Sequence, residues 1–123
     1  MSLKAYQDAQ KIFEDPRQIE YRLFGEITRT LMDVRDTSAK GTKLIEALDW
    51  NRRVWKAMED DCLNDQNQLP KEIRAQIISL SMWVTRYTRT VVRQKKPIDP
   101  LIEVNRHIMQ GLMGGGAGGA GGV

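Results

Sequence analysis

The sequence predicts an all-α fold, a single small domain built as a bundle of about five helices. Three observations predict it. Apolar residues recur at helical spacing along the chain. Prolines, two of them directly after an aspartate, and polar breaks divide the chain at short intervals. No stretch sustains the alternation of a half-buried strand, and the β-branched clusters fall inside helical periods.

The elements are justified in order. A first helix is expected over 3–13. Asp15-Pro16 then reads as an N-cap followed by proline at the first helical position, where its missing N–H costs nothing, and opens a helix over 16–36. Gly41 lies in TSAKGTK, a polar break, and a third helix is expected over 42–63. The loop NDQNQL leads to Pro70, read as the first residue of a helix over 70–93, with no good capping residue directly before it. Asp99-Pro100 repeats the Asp-Pro device and opens the last helix, 99–112. Eight of the ten glycines lie between Gly111 and Gly122. The expected division is therefore a helical domain over 1–112 and a flexible glycine-rich tail over 113–123.

A chain of 123 residues with a net charge of +3 fits one mildly basic domain, which is compatible with an acidic partner without demanding one. The single cysteine, Cys62, excludes an internal disulfide and fits a reducing compartment. No apolar run approaches the ~20 residues that span a bilayer. MSLKAYQDAQKIFED has neither an apolar signal core nor a small-residue cleavage site. The expectation is a cytoplasmic protein without membrane insertion.

Catalytic motifs are absent. There is no P-loop, no G-x-G-x-x-G and no G-x-S-x-G, and the glycine tail does not join a strand to a helix. His107 and Cys62 are the sole residues of their kinds, too few for a zinc site. Cys62 falls on an apolar stripe, as an inert core thiol does. The acidic run EDDCLND, Glu59 to Asp65, lacks the glycine turn and terminal glutamate of a calcium loop and reads as a solvated helix end. No catalytic residue, metal, cofactor or small-molecule substrate is expected, and the chain is not read as an enzyme.

The segment ALDWNRRVWKAMEDD, 47–61, carries two of the three tryptophans. At about 100° per residue, Leu44, Leu48, Asn51, Trp55, Met58 and Cys62 share one face. Asp49, Arg53, Lys56 and Asp60 share the other. Trp55 should point into the core, with Trp50 at its border. Asn51 interrupts the stripe, and a buried amide without partners costs about 1–3 kcal/mol, so it should bond to a helix end or loop backbone. The last helix repeats the oddity: Leu101, Val104, Ile108 and Leu112 make its stripe, with Asn105 and Arg106 beside it. The two Asn-Arg pairs read as two internal polar clamps.

The helix over 70–93 has an apolar stripe of Ile73, Ile77, Leu80, Val84, Tyr87 and Val91. Ala75, Ile78 and Met82 lie on the opposite side, with Trp83 between. Apolar residues on two sides mark either a central helix or a docking face. Ile78, Met82 and Trp83 are the candidate partner-binding residues. Arg86, Arg89, Arg93, Lys95 and Lys96 form a basic end. Without an aromatic platform it reads as ordinary charging of a helix C-terminus rather than an RNA-binding patch.

Ala5-Tyr6, PRQIE at 16–20, ALDWNRRVW at 47–55, NQLP at 67–70, IISLSMWV at 77–84 and LIEVNRHIMQGL at 101–112 resemble, in order and spacing, the FlaF family of flagellar biosynthesis regulators. The AL-x-x-NR-x-x-W and LI-x-x-N-x-x-I-x-x-GL patterns are the most specific parts. The resemblance implies a small cytoplasmic all-helical protein of alphaproteobacterial type, needed for flagellin production and filament assembly, without enzymatic activity. It implies flagellin as partner, bound by a secretion chaperone. It also implies a positive regulator of flagellin synthesis opposed by the FlbT regulator, acting on flagellin mRNA directly or through FlbT. Asn51, Arg52, Trp55, Asn105 and Gly111 carry over as family-pattern residues of structural kind. Trp50 and the glycine tail depart from the pattern.

Overall fold

The computed structural model describes residues 16–115, and side chains for 21–111. The helix expected over 3–13 and most of the glycine tail lie outside them. The described residues form four helices: α1 (Pro16–Asp36), α2 (Thr42–Leu63), α3 (Lys71–Gln94) and α4 (Asp99–Gly115).

Each boundary has a local cause. Pro16 opens α1 as its fixed φ predicts. Gly41, at φ 64°, turns the chain into α2. After α2 the polar loop folds on itself: Asn64 Oδ1 accepts from the Gln66 amide at 2.8 Å, and Asn67 Oδ1 from the Leu69 amide at 2.9 Å. Such Asx turns offer the backbone an alternative to continuing the helix. Pro70 is not the first helical residue expected. Its ψ of 147° makes it the N-cap, and its carbonyl accepts from the Arg74 amide at 3.0 Å, so α3 begins at Lys71. At the other end α4 runs three residues past the expected stop, to Gly115.

The helices stand in a ring. α2 packs closely on α3, and α1 on α4; α1 also packs on α2, while α3 and α4 meet least. Among the described residues the backbones of α1 and α3 do not approach each other, nor do those of α2 and α4, so these pairs are the diagonals. The core is filled by Phe24, Ile27 and Leu31 of α1, Leu48 and Trp55 of α2, Ile77 and Val84 of α3, and Leu101 and Ile102 of α4, none more than 2% exposed. Phe24 meets Trp55 edge to face at 5.1 Å, the arrangement that ring quadrupoles favour.

Two stripes are rotated from their expected lines. On α3 the buried row is Ile77, Ser81, Val84, Thr88 and Val91. Ile73 is 38% exposed, and Leu80 and Tyr87 are half-buried. The heavier packing of α3 against α2 than against α4 pulls this row round, and Ser81 is what the contact requires: its hydroxyl donates to the Trp55 carbonyl at 3.2 Å. On α4, Ile102 and Asn105 are buried beside Leu101 and Ile108, and Val104 is half-buried.

Candidate functional site

The groups that catalysis or metal binding would need are engaged or scattered. No cluster of metal-ligating side chains exists among the described residues. Cys62 is buried and His107 exposed. In the acidic run, Glu59 and Asp60 pair with Lys56 at 3.1 and 3.3 Å, and Asp61 Oδ2 accepts from Asn67 Nδ2 at 3.1 Å. It is a solvated helix end, as its sequence predicts.

The family-pattern residues divide sharply. Asn51, Trp55 and Asn105 come together in the middle of the bundle, each fully buried. The Trp55 indole donates to Asn105 Oδ1 at 2.8 Å, and Asn105 Nδ2 donates to Asn51 Oδ1 at 2.8 Å. An indole N–H can only donate, so it fixes the Asn105 amide, which in turn fixes Asn51. The expected partner of Asn51, a helix end or loop backbone, is replaced by the second asparagine. The two polar clamps are one, because the diagonal position of α2 and α4 points both amides at the bundle axis. Asn51 Nδ2 has no acceptor among the described residues. Arg52 faces outward, holding Asp49 at 3.0 Å, and Arg53 takes the other oxygen of the same carboxylate at 2.8 Å. Gly111 is exposed on α4, and a Cβ added there would meet nothing within 4 Å.

The candidate partner-binding residues sit on two flanks of α3. Met82 is 52% exposed, and Ile78, next to it on the surface, is half-buried against the core. Trp83 turns the other way and stacks on Tyr87, with centroids 5.1 Å apart and planes 12° from parallel. The Tyr87 hydroxyl donates to the Pro97 carbonyl at 2.6 Å. Burial first, and the charge of Asp99 second, hold the Tyr87 phenol above its ordinary range. Ile78, Met82, Arg89 and Val92 fall within about a quarter-turn of one another at 3.6 residues per turn, so the Met82 face continues along α3 to Val92.

Val92 is 50% exposed and, with Ile45 at 46%, walls a cleft at the loop end of the bundle. The cleft has a volume of about 660 Å³ and a floor that includes Val34, Leu44, Val91 and Ile98. Sequence reasoning missed it. No window of the sequence marks it; the turn that closes α3 beside it is made by Lys95, at a left-handed φ of 54°, a position usually filled by glycine.

The chain therefore joins a four-helix ring, a buried Asn-Asn-Trp link and an apolar surface on α3. No curated protein and no solved structure matches it. The family described as "Flagellar protein FlaF" matches residues 2–112. That span takes in the ring up to the last three residues of α4 and all of the family-pattern residues, and the chain belongs to the FlaF family of flagellar proteins.

Proposed function

We propose that this chain is a cytoplasmic flagellin-binding secretion chaperone and assembly factor, which promotes flagellin production and filament assembly by binding and not by catalysis. Family membership supports a flagellar role. The observation that carries the finer reading is the apolar surface on α3, with Met82 half in solvent beside Ile78, which is only partly covered by the core it packs on. An amphipathic partner helix gains by laying its own apolar side chains on such a face. A subunit whose assembling helices are covered in this way is kept from premature polymerisation.

A second reading is supported by Arg86, Arg89 and Arg93, all exposed and without an ion-pair partner among the described residues. They fit a regulator acting on flagellin mRNA, directly or through FlbT. A pull-down of the tagged full chain from nuclease-treated cytosol separates the two. Flagellin retained after nuclease supports the chaperone. Loss of flagellin, with its transcript recovered from the untreated sample, overturns it in favour of the RNA reading.

A further inference from the structure

We propose that the cleft at the loop end of the bundle is the anchoring end of the docking surface, and that it seats an amphipathic helical segment whose apolar side chains are flanked by carboxylates. The inference rests on the flagellin-binding reading, and assigns that partner a place and a charge.

The charge follows from what lines the cleft. Four of the lining residues are basic, Arg35, Lys40, Lys95 and Lys96, and none is acidic. Arg35 is already held by Asp36 at 2.9 Å and Asp99 at 3.3 Å, which raises its pKa from the ordinary guanidinium value. The three lysines have no carboxylate partner among the described residues and stand over an apolar floor. An occupant that covers Ile45 and Val92 while offering carboxylates to this rim satisfies both parts of the surface. The apolar part excludes a purely ionic ligand, and the basic part disfavours a purely apolar one.

The helical form of the occupant follows from the neighbouring surface. No sheet edge exists among the described residues for an extended peptide to join. Instead the exposed α3 face runs from Ile78 to Val92, about 20 Å at 1.5 Å per residue. That length suits a helix of several turns, lying along α3 with its acidic end in the cleft.

The backbone supports a role beyond packing. Ser38 at φ 53°, Gly41 at φ 64° and Lys95 at φ 54° are the left-handed residues among those described, and all three line this cleft. Lys95 closes α3 by donating its amide to the Val91 carbonyl at 2.9 Å. Glycine would make the same turn without a Cβ penalty. A lysine there keeps a cation at the rim at a conformational cost, and strained residues of this kind collect where a ligand is held.

The test titrates flagellin monomer from the same genome into the full chain and into Val92→Glu and Lys95→Gly, at low and high salt, with melting followed by circular dichroism. Val92→Glu is expected to weaken binding about tenfold, because a carboxylate then stands in the apolar wall against an acidic occupant. Its melting should stay near that of the parent, since Val92 is half exposed. Lys95→Gly is expected to weaken binding about threefold and flatten its salt dependence, without lowering the melting temperature. Ile73→Gln, at the opposite end of α3, should bind as the parent does. If the parent binds and both cleft variants bind equally well, the cleft proposal falls while the chaperone reading stands. If the parent does not bind flagellin, the chaperone reading falls and takes this proposal with it. If the cleft variants keep flagellin but lose binding of the flagellin transcript, the cleft is an RNA site and the proposal is overturned.

Discussion

Asn51 and Asn105 belong to helices whose backbones stand diagonally apart, yet their amides are bonded at 2.8 Å through the centre of the bundle. Asn105 also accepts from Trp55. Asn51→Leu removes one acceptor and should cost about 1–3 kcal/mol in a urea melt. Asn105→Leu strands both Trp55 Nε1 and Asn51 Oδ1, and should cost more. The double variant should cost less than the sum, by a coupling of roughly 0.5–3 kcal/mol. Additive losses would show that the two amides act independently.

Thr88 poses the reverse case. Its side chain is buried on α3, and its hydroxyl has no hydrogen-bond partner among the described residues. Thr88→Val removes the unsatisfied group at nearly constant shape, and stability should rise by about 1 kcal/mol. A fall in the melting temperature would mean that the hydroxyl is satisfied in solution.

The Tyr87 hydroxyl, bonded to the Pro97 carbonyl, gives an alkaline signature. Burial and Asp99 raise its folded pKa above the ordinary 10.0. The neutral phenol is therefore the form the fold favours. Its contribution is complete below the unfolded value and is lost as pH rises through the folded one. Tyr87→Phe should cost about 1 kcal/mol at neutral pH, and the gap from the parent should narrow as pH climbs through the alkaline range. A gap that is constant with pH refutes the assignment.

Met82 and Ile78 should separate when charged. Met82→Lys places its charge in water, so circular dichroism and melting should match the parent while flagellin binding weakens. Ile78→Glu brings a carboxylate toward the core and should cost about 1–3 kcal/mol before any effect on binding. Equal destabilisation by both would make the whole of this face part of the core.

Gly111 sits in the α4 interior with open space around it. Gly111→Ala should stabilise the helix by up to about 1 kcal/mol. If the same change weakens flagellin binding, the glycine serves close approach of a partner backbone.

The helices were legible because caps and prolines act locally: Pro16, Gly41 and the Asx turns of Asn64 and Asn67 set their boundaries within a few residues. The stripe holding Trp55 was legible because 100° periodicity needs only one helix. What sequence could not supply was which helices stand diagonally, and this is why Asn51 and Asn105 read as two clamps. Ser81 and Thr88 escaped notice because small polar residues enter a core row only when a neighbouring backbone comes close, a fact of pair packing. The cleft joins residues from three helices and two loops, and no window of the chain contains it. Ser38 and Lys95, polar residues at left-handed turns that border it, carry no sequence pattern that announces that backbone.

The diagonal amide bond also answers a question that hydrophobic burial leaves open. Leu, Ile and Val side chains fill space in many relative placements, and an apolar stripe slid along its neighbour by one turn of about 5.4 Å still meets apolar atoms. Two amides and an indole do not tolerate such a slip, since each bond between them spans 2.8 Å. The Asn-Asn-Trp link thus acts as a vernier between α2 and α4, setting the height at which the last helix stands against the rest. It thereby fixes the level of the 95–98 turn that borders the basic rim.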